Sequence, residues 1–381
     1  MDDLKDYRNE IDEIDAEILK QFEKRLAVTE KIAAYKEAKG MPIFDPMREE
    51  EKRNAIMDTV APKNSGYANV LYSTIMEISK DNERKALNQV SPLIQSIQDA
   101  LKSTEQLFPE KALVACQGKM GAYSEQAVHR AFKLPKVMYF DNFEAVFSAI
   151  EAGLVEFGVL PLENSTAGSV NQIYDLMMQH HFHIVKSIKL KIDHSLLSKK
   201  GVKKEDIQEI FSHEQALRQC AGYLKAEFPN AKITKMENTA LSAKKVSESE
   251  RNDVAALASF SCADVYGLDC LQEDVQDNGN NYTRFICISK DLKIYPGADK
   301  TSFMLTLPHR PGSLYHALSV FNALGINITK LESRPIPHRD FHFMFYFDLE
   351  CSVYSDHFLR LIAELEGFCT EFRYLGSYVE V

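Results

Sequence analysis

The sequence predicts a multidomain chain: an all-α N-terminal domain, a central α/β domain and a C-terminal α+β domain of ferredoxin-like pattern. Three observations carry this. The chain has 381 residues, which at roughly 100–200 residues per domain is two or three cores. Apolar residues recur at helical spacing through the first 90 residues. From Lys111 onward short apolar runs alternate with helical stretches, and the residues from about 300 to the end read as βαββαβ.

The first helix is predicted over residues 3–39. Leu4, Tyr7, Ile11, Ile14, Ile18 and Phe22 fall at three- and four-residue steps, the face continues through Leu26, Thr29 and Ile32, and Gly40 with Pro42 stops it. Such length in a small domain points to a helix shared between protomers. Asp45-Pro46 supplies a cap and first-turn proline for a second, short helix. A third starts near Ser65 and carries Val70, Leu71, Ile75 and Ile78. Three helices in about 90 residues make a thin core, so this unit is expected to need a partner.

Residues 91–110 are polar, contain Pro92 and Pro109, and read as a helical or irregular linker. In the middle of the chain Ala112–Ala115, Phe157–Leu160 and His183–Val185 are strand candidates, and Ser124–Phe132 and Asn142–Ala152 helix candidates. In the last domain, strands are expected at Ser302–Leu307, Asn327–Leu331, Phe341–Leu349 and Tyr374–Val379, with helices at Gly312–Leu324 and Asp356–Leu365. The domains are therefore placed at 1–90, 111–290 and 300–381.

Composition bounds the function. The chain is 45% hydrophobic and 26% charged, with net charge −10, ordinary for a soluble globular protein and without a basic cluster for nucleic acid. The seven cysteines are scattered with no CxxC pair, which reads as reduced thiols and neither a disulfide framework nor a zinc site. No signal peptide and no apolar run of about 18 residues is visible, so a cytoplasmic protein is expected.

Arg25, Val28, Ile32 and Lys36 share one helix face. Taken singly, such basic residues are solvated charges with their stems lying on apolar surface. Taken in order, Arg8, Arg25, Lys36, Asp45-x-x-Arg48-Glu49 and Ser79-x-x-x-Glu83 resemble the all-helical chorismate mutases over residues 1–90. The resemblance implies an intertwined dimer. It implies that Arg8, Arg25 and Arg48 hold the substrate carboxylates and neighbouring oxygens, with Lys36 and Glu83 at the ether oxygen. Asp45, Glu49 and Ser79 would contact the hydroxyl and its surroundings. Many members have Gln where this chain has Glu83. Geometry supports the dimer separately: at ~1.5 Å per residue Arg8 and Arg25 are about 25 Å apart on one helix, against a ligand of about 10 Å. The implied reaction, a pericyclic rearrangement of chorismate to prephenate, needs no nucleophile, metal or cofactor.

Three loops stand out in the middle of the chain. Gly118–Ser124 runs from a strand into a helix, an anion site or a tight turn. Pro161–Val170 is dense in small hydroxyl and amide groups. Asn280–Phe285 places Thr283 and Arg284 beside a strand. Together with Ile192–Leu197, Phe211–His213 and Ala255–Ser259 they resemble prephenate dehydratase over residues 111–290. That implies two α/β lobes around a cleft, like periplasmic binding proteins, with crossings near residues 190 and 265. It implies conversion of prephenate to phenylpyruvate, with Thr283 nearest the leaving hydroxyl. Asn164, Ser165 and Thr166 would bind carboxylates and carbonyl, and Arg284 would support charge. Glu163 and His194 are candidate supporting groups, with a buried, satisfied histidine the favoured reading of His194.

In the last domain Pro311-Gly312-Ser313-Leu314 and Leu331-Glu332-Ser333-Arg334-Pro335 resemble the amino-acid-binding motifs of ACT-type domains attached to prephenate dehydratases. The implied ligand is phenylalanine at a dimer interface, held by Gly312, Ser313, Leu314, Glu332, Ser333, Arg334 and Pro335 and acting as feedback inhibitor. A homodimer or homotetramer follows. Two other readings are a monofunctional dehydratase whose helical domain only dimerises, and a non-catalytic amino-acid sensor. The full basic set argues against the first and Thr283-Arg284-Phe285 against the second.

Overall fold

The structure is a computed structural model that describes residues 3–41, 46–86, 91–337, 339 and 342–381; the side chains of Asp3, Pro46, Glu49, Arg53, Glu77, Asp81 and residues 84–86 lie outside that description. The chain forms two compact units. One holds Met1–Gln95, Pro308–Leu324 and Arg360–Cys369, and the other Ser96–Leu307, Gly325–Leu359 and Thr370–Val381.

In the first unit, α1 (Asp3–Lys39), α2 (Pro46–Met57) and α3 (Ser65–Ala86) are the three predicted helices. Gly40 ends α1 at φ +64°, with Met41 N–H donating to Lys36 O at 2.9 Å, the left-handed closure that glycine allows without strain. Towards its C-terminus α1 packs on α3 and buries Thr29 and Ala33. In its N-terminal half Leu4, Tyr7, Ile11, Ile14 and Ile18 are all more than half exposed among the described residues. This is a regular apolar stripe over about four turns, in contrast to the singly scattered apolar residues of an ordinary surface.

The second unit begins at Ser96, within α4 (Pro92–Ser103), which buries Ile97 and Ala100. The expected linker is thus helical, and Phe108 beyond it packs against Phe132, Phe157 and Tyr295. A first sheet is built from β1 (Leu113–Gln117), α5 (Tyr123–Ala131), β2 (Lys136–Phe140), α6 (Phe143–Glu151), β3 (Phe157–Asn164), β4 (Gly168–Ser169), α7 (Asn171–Gln179) and β5 (His183–Lys191). The chain then crosses to a second sheet through β6 (Ser195–Ser198), β7 (Glu209–His213), α8 (Glu214–Gln219), α9 (Ala221–Glu227), β8 (Lys232–Met236), α10 (Thr239–Glu248), β9 (Val254–Ala258), α11 (Ser261–Tyr266) and β10 (Asp269–Gln272). It returns to the first sheet as β11 (Tyr282–Ser289). The strand orders are β2-β1-β3-β11-β5, with β4 on β3, and β10-β6-β9-β7-β8. Two α/β lobes joined by two crossings are the expected architecture. The second crossing is later than expected, over residues 273–281, because β10 still pairs antiparallel with β6.

The C-terminal strands β12 (Lys300–Thr306), β13 (Asn327–Pro335), β14 (Phe343–Glu350) and β15 (Glu371–Tyr378) alternate with α12 (Ser313–Ala323) and α13 (Asp356–Phe368). Their order, β13-β14-β12-β15, all antiparallel, is ferredoxin-like. Phe341, the expected first residue of β14, lies outside the described residues. This sheet shares a core with the first lobe: Met304, Met344, Tyr346, Leu375 and Tyr378 join Leu160, Leu162, Ile173 and Ile286 in one buried cluster. The last residues extend the edge of β5, with Ser187 N–H donating to Val379 O at 3.0 Å and Lys189 N–H to Val381 O at 2.8 Å. Gly376 permits the approach, since a Cβ there would fall 2.2 Å from Ile184 O.

Candidate active sites

On the helical unit, the polar residues predicted from apolar stripes converge. Lys36 Nζ on α1 donates to Glu83 Oε2 on α3 at 2.8 Å, and Glu83 is 6% exposed. Arg25 donates to Ser79 Oγ and to Ile75 O at 3.3 Å, while Ser79 Oγ donates to Ile75 O at 2.7 Å. Burial pushes the Arg25 guanidinium below its ordinary value, opposed by Tyr72 and Glu83. Asn82 and Thr29 complete the seam: Asn82 Nδ2 donates to Leu26 O at 3.1 Å and to Thr29 Oγ1 at 3.0 Å. Neither was expected, although Thr29 stands on the predicted apolar face. Arg48 lies on α2 with an exposed side chain paired to Glu51 at 3.0 Å. Asp45 and the side chain of Glu49 lie outside the described residues. Arg8 is on the same unbroken helix as Arg25, 17 residues earlier, which at ~1.5 Å per residue is about 25 Å.

In the first lobe, β3 and β11 pair antiparallel with Thr283 opposite Asn164 and Arg284 opposite Glu163. Asn164 Nδ2 donates to Thr283 Oγ1 at 3.0 Å and to Asn281 Oδ1 at 2.7 Å. Its Oδ1 accepts from Thr166 Oγ1 at 2.7 Å, Thr166 N at 3.0 Å and Ala167 N at 2.9 Å. An amide has two donors and two acceptor lone pairs, so Asn164, expected to touch substrate, is occupied in shaping the loop and aiming Thr283. The Asn164 amide fills a lone pair of Thr283 Oγ1, which leaves the Thr283 hydroxyl proton to be donated outward. Ser165 Oγ accepts from Tyr282 N at 2.9 Å and donates to Asn280 O at 3.2 Å. Thr166 is exposed.

The second lobe reaches this network through a residue that sequence reading missed. Gln219, at the end of α8, donates Nε2–H to Thr166 Oγ1 at 2.9 Å, and its Oε1 lies 2.9 Å from His194 Nε2. His194 sits at the first crossing, 2% exposed, with its Nδ1 3.0 Å from Tyr123 OH. Burial pushes the imidazole below its ordinary value and the Tyr123 phenol well above. His194 is therefore a buried, satisfied histidine that ties α5, the crossing and α8 together. The Gly118–Ser124 loop is a tight turn. Glu125, in the first turn of α5, folds back on this loop, its carboxylate accepting from Gly121 N. At Gly121, φ is +86° and a Cβ would meet Cys262 Sγ at 2.8 Å.

Arg284 departs from expectation. Consecutive residues of a strand face opposite sides, so Arg284 points away from Thr283. Its Nε lies 2.8 Å from Glu163 Oε1, an ion pair whose angle is off hydrogen-bond alignment, and its NH2 donates to Asp348 on β14. It joins the lobe to the C-terminal sheet, and with Glu163, Asn164, Ser165 and Tyr282 it lines one pocket. Glu332 and Arg334 also face the lobe: Ser169 Oγ donates to Glu332, and Arg334 donates twice to Asp175 at 2.8 Å. These two residues of the expected amino-acid-binding motif are thus engaged within the unit, while Leu331, Ser333 and Pro335 alternate to the exposed side. In the other motif Gly312 precedes α12 at φ +87°, followed by Ser313 and Leu314. Ser313 Oγ is shielded from water without a hydrogen-bond partner among the described residues.

Comparison with known proteins agrees with this organisation. Residues 7–84 match the family chorismate mutase type II and residues 114–293 the family prephenate dehydratase. Arogenate dehydratase/prephenate dehydratase 1, chloroplastic, of Arabidopsis thaliana is 40% identical over 287 residues, covering 70% of this chain and 72% of that protein. The bifunctional chorismate mutase/prephenate dehydratase of Aquifex aeolicus (strain VF5) is 31% identical over 380 residues, 99% of this chain and 98% of that one. A solved prephenate dehydratase from Arthrobacter aurescens, in complex with L-Phe, is 29% identical with TM-score 0.65, covering 70% of this chain and 90% of that one. With both catalytic families matched in order and a full-length relative of the same composition, this chain belongs to the bifunctional chorismate mutase/prephenate dehydratases.

Proposed function

We propose that the helical domain (residues 1–90) rearranges chorismate to prephenate. The lobed domain (111–290) converts prephenate to phenylpyruvate, and the C-terminal domain (300–381) senses phenylalanine as feedback inhibitor. At the first site Arg25, Lys36, Ser79 and Glu83 come from one chain. Arg8 comes from a second copy, docked on the exposed stripe of Leu4, Tyr7, Ile11, Ile14 and Ile18. Arg48, Asp45 and Glu49 complete the site. The reaction requires a compact conformer and donors where charge develops on the breaking ether, which pre-placed cations supply.

The observation that carries the dehydratase reading is the Asn164–Thr283 contact. With Asn164 Nδ2 on its oxygen, Thr283 presents its O–H to the leaving hydroxyl of prephenate. The carboxylate on the ring leaves as carbon dioxide and its electron pair makes the ring aromatic. The hydroxyl departs as water once it takes a proton, relayed from solvent along the Thr283 hydroxyl, since threonine alone is a poor acid. Ser165 and Thr166 belong to the same loop, and their hydroxyls turn to the substrate's oxygens only by leaving Asn280 O and Asn164 Oδ1. Thr283→Ala supplied with prephenate should make no phenylpyruvate while still consuming chorismate; retained dehydration would remove Thr283 from the mechanism.

A second reading, arogenate in place of prephenate, is raised by the name of the Arabidopsis relative. Arogenate carries an ammonium where prephenate carries a keto group. The groups gathered at Thr283, namely Asn164, Thr166, Gln219 and Asn281, are neutral amides and hydroxyls, which favours the keto acid. Comparing kcat/KM on the two substrates decides it. No helix among the described residues is long and apolar enough to cross a membrane, and all seven cysteines are free, which supports a reducing, cytoplasmic setting. The shielded Ser313 Oγ supports a ligand at Gly312–Leu314.

A further inference from the structure

Thr283 and Arg284 are neighbours on β11, and Asn164 and Glu163 are their partners on β3. One face of this strand pair therefore carries the Asn164–Thr283 contact, and the opposite face carries Arg284 and Glu163. The second face is clamped by the C-terminal sheet. Asp348 on β14 is fully buried; one oxygen accepts from Arg284, and the other accepts from Ser302 and Tyr346 and lies 3.3 Å from Tyr378 OH. Lys330 on β13 lies 2.9 Å from Glu163 Oε2 and donates to Ser169 Oγ on β4 at 2.7 Å. A buried carboxylate surrounded by donors and aimed at one guanidinium has a fixed position, and so does the arginine it holds.

We propose that Asp348 and Lys330 are positioning residues of the dehydratase site. Through Arg284 and Glu163 they fix β11 and β3, and thereby set where the Thr283 hydroxyl points. The C-terminal sheet then belongs to the catalytic geometry, and any displacement of it reaches Thr283 across the thickness of one strand. This rests on Thr283 being the dehydratase group. Neither residue touches the cleft, so neither acts on substrate directly, and a misplacement of the order of 1 Å costs up to about a hundredfold in rate.

The test uses the full chain with Asp348→Asn, which keeps shape and removes the counter-charge. Dehydratase kcat on prephenate should fall on the order of tenfold or more, with chorismate consumption by the same sample unchanged. Combined with Thr283→Ser, the two losses should not multiply, because both act on one hydroxyl. A kcat within about twofold of wild type, or losses that multiply as for independent sites, overturns the proposal. If Asp348→Asn does not fold, Lys330→Met at the rim of the same cluster is read by the same two criteria. Absence of dehydratase activity in the wild type would instead refute the assignment of the reaction.

Discussion

The sharing of the mutase site can be tested by mixing dead chains. Arg8→Ala and Lys36→Ala should each abolish chorismate consumption, since each removes one charge from a site built around anions. On α1 the two arginines are 17 residues apart, about 25 Å, too far for one copy to place both on one ligand. In a twofold dimer, Arg8 of one chain then completes the site of the other. Equal mixing gives half mixed dimers, each with one intact site of two, so roughly a quarter of wild-type activity should return. A chain carrying both substitutions, mixed equally with wild type, gives the converse. Roughly a quarter should remain if sites are shared, against about half if each site is made within one chain. The assay is chorismate disappearance after verified subunit exchange. No recovery in the first mixture, with half retained in the second, would refute the shared helix.

Lys36→Ala should leave dehydration of supplied prephenate intact, the mirror of Thr283→Ala; equal loss of both activities in a folded variant would contradict two separate sites. If residue 83 faces the ether oxygen as proposed, Glu83→Gln replaces an acceptor by a donor toward an atom that can only accept, and it removes the charge from the 2.8 Å pair with Lys36. Mutase kcat/KM should rise by about tenfold, and a loss instead shows that Glu83 works as an anion that holds Lys36. His183 is pushed down from 6.5 to about 4, by burial and then by Arg373. Its folded pKa lies below its unfolded one, so it contributes stability above about 6.5 that is lost as pH falls through 4. His183→Gln should flatten the decline of the thermal midpoint over that window, and an unchanged slope would assign the acid sensitivity elsewhere.

What the sequence made legible follows from what is periodic. The face of α1 and the basic residues interrupting it can be read because a helix returns the same face every three or four residues. The C-terminal strands show as short apolar runs between helical stretches, and of the four only β13 alternates in burial. Alternation also contained the placement of Arg284: adjacent strand residues face opposite sides, so Thr283 and Arg284 point apart. Its partner was hidden, because Asp348 reads as an ordinary polar residue near a strand end, and only the packing of two sheets shows it to be a buried counter-ion. Gln219 was hidden likewise. Its links to Thr166 and His194 span 53 and 25 residues, and nothing local marks it among the polar residues of α8. The engagement of Glu332 and Arg334 with Ser169 and Asp175 is also tertiary, and the motif resembles a ligand site whether or not its side chains are already paired.

The central claim is that one chain carries out two consecutive reactions, and one measurement tests it directly. Purified protein is given chorismate alone, and phenylpyruvate is followed with and without phenylalanine. The account predicts phenylpyruvate formation that Lys36→Ala and Thr283→Ala each abolish, that prephenate restores only to the first, and that phenylalanine suppresses. Chorismate left unconsumed by the wild type, or prephenate accumulating without conversion, would contradict it.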